Sequence, residues 1–123
     1  MTMKHKMIYD PVFRSETMFY CCKDGQDAID HAGKKYKVKI PNTSFDGFKG
    51  TCVEVQCDKT GITFWLVWVN HKHDWKTIVH ESAHLVFRIL DKRLVKYDSD
   101  NDETWCYLHE YFVSDMWHIM CKK

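Results

Sequence analysis

Residues 62–69 form the most continuous apolar stretch of the chain, and they alternate between two apolar faces. Ile62, Phe64, Leu66 and Trp68 fall on one face; Thr63, Trp65, Val67 and Val69 fall on the other. A period of two predicts a strand. Two apolar faces predict that it is covered on both sides, or covered on one and lining a cleft on the other. Weaker strand patterns cover residues 17–22 and residues 51–57, where Val53 and Val55 share a face. Tyr36, Val38 and Ile40 alternate with lysines, as in a half-buried or edge strand, and Pro41 and Asn42 stop the run. Lys23-Asp24-Gly25 and Asp58-Lys59-Thr60-Gly61 read as turns. Residues 26–31 predict a short helix ended by Gly33, with Ala28 and Ile29 as its apolar face.

The period changes after Asn70. From Trp75 to Leu90 the positions Ile78, Ser82, Leu85, Val86 and Ile89 return at three- and four-residue intervals, which predicts a helix with Asp74 as N-cap. A second long helix is predicted from Asp100 or Asn101 to about Met120, with Asp100 and Glu103 as a capping box. Its stripe is Trp105, Leu108, Phe112, Asp115 and Ile119. The order of elements predicts an α+β domain, a small sheet backed by helices. A length of 123 residues fits one domain, 1–123, and residues 1–15 read as a loosely packed N-terminal segment.

A net charge of +1 announces no electropositive face, so nucleic acid is not expected as a partner. The local cluster Lys34, Lys35, Lys37 and Lys39 reads as a solvated turn or strand end. No apolar run is long enough to span a membrane. The six cysteines form no Cys-x-x-Cys pair, and the polar start of the chain does not read as a signal peptide. Reduced thiols and a cytoplasmic location are the expectation.

One helical segment carries chemistry. His80-Glu81-Ser82-Ala83-His84 matches His-Glu-x-x-His, in which imidazoles at i and i+4 share a helix face and can approach one ion. Glu81 beside them is placed to accept a proton from metal-bound water. A metzincin pattern is excluded, because Phe87 stands where its glycine is needed and Leu90 where its third histidine is needed. Glu103 is the candidate third ligand, with Asp98, Asp100 and Asp102 as alternatives and His71 and His73 as a competing pair.

Here the chain resembles the gluzincins, a class of zinc peptidases in which a glutamate on the following helix completes the site. Asn101-Asp102-Glu103 is similar to that element. Asp74 to Thr77, His80 to His84 and Asp102 to Leu108 also resemble compact phage-encoded His-Glu-x-x-His proteins. The resemblance implies a minimal zincin-like domain: a small twisted sheet packed against the motif helix, and a following helix that carries the third ligand. It implies Zn2+ held by His80, His84 and Glu103, and a peptide or protein substrate extended along an edge strand. Tyr107, one turn beyond Glu103, is the candidate stabiliser of the oxyanion, with Tyr97, Tyr111, His109 and His118 as rivals. Glu110 is placed to orient a metal-bound histidine. Trp65, Trp68 and Trp75 are candidates to line substrate subsites, with core packing as the alternative. Two other readings stand beside the peptidase: a zinc hydrolase of another amide or ester, and a zinc-containing phage protein that acts by binding a host protein.

Overall fold

The computed structural model of the chain describes residues 3–40, 45, 48–70 and 75–122. Five strands, β1 (Lys4–Tyr9), β2 (Glu16–Cys21), β3 (Val38–Lys39), β4 (Gly50–Cys57) and β5 (Thr63–Val69), form one mixed sheet in the order β1-β2-β5-β4-β3. Only β2 and β5 run parallel. The helices are α1 (Gly25–Tyr36), α2 (Trp75–Lys92) and α3 (Asp102–Cys121). The architecture is α+β, as expected, and no feature of it marks it as specifically zincin-like.

β5 is covered on both sides because both of its faces are apolar. Leu66 and Trp68 pack with Met18 and Tyr20 of β2 and with Ala28 and Ala32 of α1. Trp65, Val67 and Val69 pack on the opposite face against Ile78, Leu85 and Ile89 of α2 and Leu108, Phe112 and Met116 of α3. Burial of such side chains is worth roughly 2 kcal/mol each, so this two-sided core holds the sheet between the helical layers.

Three local differences from the sequence pattern have physical causes. α1 runs through Gly33 to Tyr36 and ends where Lys37 turns into the left-handed region, with φ 55°. Tyr36 is therefore helical, and the expected strand around it shrinks to the two residues of β3. The expected box of Asp100 and Glu103 does not form: Asn101 is the N-cap of α3 and makes no side-chain cap bond. Its amide instead donates to the Lys96 carbonyl, and the Asp100 N–H goes to the Asp98 carboxylate. β1 arises within residues 1–15, where lysines mask the alternation: Met3 and Met7 face α1, and Ile8 faces α2 and α3. Lys4 reaches along the second face to donate to the Met120 carbonyl at 2.7 Å, satisfying one of the free carbonyls at the end of α3. Pro41, Asn42 and the expected cap Asp74 lie outside the described residues.

The turn between β1 and β2 is built around Asp10, which is 1% exposed. Its carboxylate accepts the backbone N–H groups of Val12, Phe13 and Ser15 at 3.0, 2.6 and 2.7 Å, and the Ser15 hydroxyl. Arg14, held in the middle of this turn, adopts φ 57°.

Candidate functional site

α2 meets the sheet through Thr77, Ile78, Glu81, Ser82, Leu85, Val86, Ile89 and Leu90, which recur at helical spacing and are all buried. His80 and His84 fall one turn apart on the exposed side of the same helix. Their Nε2 atoms are 3.2 Å apart, so one imidazole donates to the other. The His84 pKa is lowered first by burial, then by His80 and Arg88. Glu81 points the other way, towards β4, and is 7% exposed. Burial raises its carboxyl above the usual range, against the opposing pull of His80 and Arg88.

Gly50 makes this approach possible. A Cβ there would stand 2.6 Å from Thr77 Cγ2 and 3.0 Å from Glu81 Cγ, so only glycine lets α2 lie this close to the start of β4. An open cavity of about 380 Å³ results, lined by residues 48–50 of the β4 side and by Lys76, Thr77, His80 and Glu81 of α2.

Among the described residues, the strand beside that cavity is paired on its outer side only at its far end. The Lys49 carbonyl accepts from Asn70 and the Cys57 N–H donates to the Ile62 carbonyl, so the odd-numbered residues of β4 bond to β5. In an antiparallel ladder the even-numbered residues then point their N–H and C=O away from β5. β3 pairs only with Gln56 and Cys57, which leaves Gly50, Cys52 and Glu54 facing outwards among the described residues. The Arg88 guanidinium donates to the Cys52 carbonyl on that edge. Lys92 forms an ion pair with Glu54.

Among the described residues, no hydrogen bond, ion pair or ring contact joins the remaining expected site residues to His80 or His84. Glu103 is exposed in the first turn of α3. Between α2 and α3, His109 Nε2 meets the Val79 carbonyl at 3.1 Å, while Trp105 packs on Phe87, two turns further along α2. Tyr107 and Glu110 are exposed on α3. Trp68 is buried and donates its indole N–H to the Cys22 carbonyl at 3.0 Å. Trp65 belongs to the core between the sheet and α2. Tyr97 packs edge-on against Phe87, and Tyr111 donates to the Tyr9 carbonyl. His71 and His73 lie outside the described residues.

The zinc expectation is therefore corrected. Among the described residues no three of His, Cys, Asp and Glu stand together to hold a metal ion. His80 and His84 supply two nitrogens, and α3 brings no carboxylate to them. With that centre go the ligand roles of His80, His84 and Glu103, the zinc hydrolase with Glu81 as its base, and the zinc-containing alternatives. No family model, no curated protein and no solved structure matches the chain. The gluzincin resemblance and the association with phage-encoded proteins therefore find no support outside the short motif. Sequence reading passed over Gly50, Thr77 and Arg88. Gly50 at the head of a strand pattern, and Thr77 and Arg88 four residues either side of Glu81 and His84, were the available signals.

The six cysteines are free thiols, with Cys21, Cys22 and Cys52 buried. Among the described residues no helix is long and apolar enough to cross a membrane.

Proposed function

We propose that the chain is a peptide-binding domain that takes an extended segment of a partner protein along the outer edge of β4. One observation carries this reading: the outward main-chain groups of Gly50, Cys52 and Glu54 run beside the cavity that holds Glu81 and Thr77. An added strand gains affinity from main-chain hydrogen bonds and specificity from pockets that take alternate side chains. The cavity lies next to Gly50, at one end of that row. Its lining carries the carboxyl of Glu81 together with Lys76 and the histidine His80. A charged side chain of either sign meets a like charge there, so the side chain that enters is uncharged and hydrogen-bonding. Phe48, which is 60% exposed, offers an apolar wall to its stem.

Affinity selection from a random peptide library tests this, with wild type set beside Glu54→Pro. Proline removes the outward N–H at that position, which an edge strand tolerates, together with the carboxylate that pairs with Lys92, so Glu54→Gln, which loses only the ion pair, is the control. Enriched peptides are expected to bind wild type and to lose about tenfold or more in E54P, each lost main-chain bond being worth roughly 1 kcal/mol plus the blocked register. Amide exchange at Gly50 and Glu54 slows in the complex. Equal binding by E54P sinks the proposal.

A further inference from the structure

A second cavity, of about 430 Å³, lies at the opposite end of α2 between that helix and the β2–β5 pair. Its floor is apolar: Trp65 and Ile89 both belong to the buried core. Its wall is cationic, with Arg14, Lys92 and Arg93 against the single carboxylate Glu16. The volume falls within the range of small-molecule sites, and an apolar body with a few convergent polar groups is their common composition.

The three cations are not equivalent. Lys92 is neutralised by Glu54. Arg93 is fixed rather than neutralised: Nη2 donates to the Phe13 carbonyl at 3.1 Å, and the guanidinium lies over the Phe13 ring at 5.8 Å. Arg14 forms no ion pair among the described residues. Its backbone is nonetheless tightly held, because Asp10 binds the N–H groups on both sides of it and the Arg14 N–H donates to the Asp10 carbonyl. A non-glycine residue in the left-handed region costs on the order of 1 kcal/mol and persists only where its surroundings over-determine it. A buried aspartate thus keeps an uncompensated arginine beside a cavity that already contains a fixed one. The last carbonyls of α2 do not oppose an anion strongly, since Ile89, Leu90 and Asp91 already accept from Arg93, Leu94 and Val95.

We propose that this cavity binds a small organic anion with a planar apolar body, the ring lying against Ile62 and the edge of Trp65 and the carboxylate or phosphate held by Arg14 and Arg93. Guanidinium forks match both head groups in two-point hydrogen bonding, which an ammonium does not reproduce. The site is separate from the β4 edge and does not depend on the peptide reading.

The test is a titration of the full chain with phenyl phosphate and with benzoate, followed through the Trp65 indole N–H signal by NMR. Phenol and inorganic phosphate serve as the two halves of the ligand. One or both aryl anions are expected to shift that signal saturably, phenol and inorganic phosphate binding at least about tenfold more weakly. The stronger aryl anion identifies the head group. Arg14→Gln, a change at an exposed side chain, weakens binding by about tenfold or more. Lys34→Gln, a change at an exposed side chain of α1, leaves it unchanged. Failure of both aryl anions to bind overturns the proposal. So does inorganic phosphate binding as tightly as phenyl phosphate, and so does full retention of affinity in R14Q.

Discussion

Among the described residues two pairs of histidines touch, and they are built in opposite ways. His80 and His84 meet because they are four residues apart on one exposed helix face, with ring centroids 4.8 Å apart. His5 and His31 meet because the fold brings β1 to α1, with centroids 4.3 Å apart. The second pair stands on Tyr20, which is 1% exposed and whose hydroxyl bonds His31 Nδ1 at 2.8 Å. Burial raises the Tyr20 phenol well above its usual pKa, so it serves as a neutral hydrogen-bonding group. The first pair is visible in the sequence as a motif; the second has no signature at all. Yet the second is tied into the core from two elements, while the first receives no third ligand. Spacing can bring two side chains together, whereas a site needs a further element to bring a third.

The largest expected effect tests how deeply each pair is tied to the core. Tyr20→Ala opens a cavity beneath His5 and His31 and is expected to cost about 3–5 kcal/mol of stability. His84→Ala, at an exposed position, is expected to change stability by no more than about 0.5 kcal/mol. Urea unfolding of both variants measures the difference, and similar losses would erase the contrast.

Next in size is Gly50→Ala, which probes the ground beneath the motif rather than the motif itself. The added methyl meets Thr77 Cγ2 and Glu81 Cγ well inside normal contact. Overpacking of this kind costs roughly 1–3 kcal/mol, and β4 and α2 must move apart to relieve it. Amide exchange should quicken in Gly50–Cys52 and around Glu81 while β1 and α1 stay protected. Loss spread evenly over the sheet would mean that the two ends of the molecule are not independent.

Acidity separates the groups further. The His5 pKa is lowered first by burial, then by His31 and Lys35, and that of His84 first by burial, then by His80 and Arg88. For each, the unfolded chain takes up its proton near 6.5 and the folded chain only at lower pH. Stability is therefore full above about 6.5 and falls as pH drops from there to the folded value. Glu81 has the opposite sign: its raised folded pKa makes its contribution full below about 4.5 and progressively lost as pH rises through the folded value. Unfolding midpoints between pH 5 and 8 should thus show a shallower slope near 6 in His5→Ala than in wild type. Glu81→Gln, which removes a carboxyl whose charged form burial disfavours, should raise stability at pH 7 by on the order of 1 kcal/mol. An unchanged slope in H5A would remove the cross-element pair from the pH response.

The legible parts of the fold were those whose pattern is long or two-sided. β5 shows alternating apolar faces and α2 an unbroken stripe, and in each case burial follows the pattern. β1 was hidden because Lys4 and Lys6 count as polar in any pattern, although Lys4 reaches the Met120 carbonyl of α3. The end of α1 was misplaced because Lys37, rather than Gly33, takes the left-handed turn. At the site the order is reversed. The motif was plain, but what surrounds it depends on how α3 slides along α2, and helix register is set by packing of side chains such as Trp105 on Phe87. Nothing in the spacing from His84 to Glu103 encodes that register. The Arg14 cavity was equally silent, since its walls come from three separated segments.

The smallest expected effect is the sharpest statement about the motif. Dialysis of the purified protein against a chelator is expected to leave its thermal midpoint within about 1 °C of the untreated sample. A metal held tightly by the native state alone adds RT ln(1 + [L]/Kd), several kcal/mol for a site well above its Kd, and 1 kcal/mol moves the midpoint of a domain this size by about 4 °C. Two imidazoles on an exposed turn, without a third group among the described residues, give no such contribution. A midpoint that falls by several degrees on chelation, recovers with zinc and is insensitive in His84→Ala would show that a ligand reaches the pair after all. The contrast between a pair made by spacing and a pair made by topology would then have to be redrawn around that ligand.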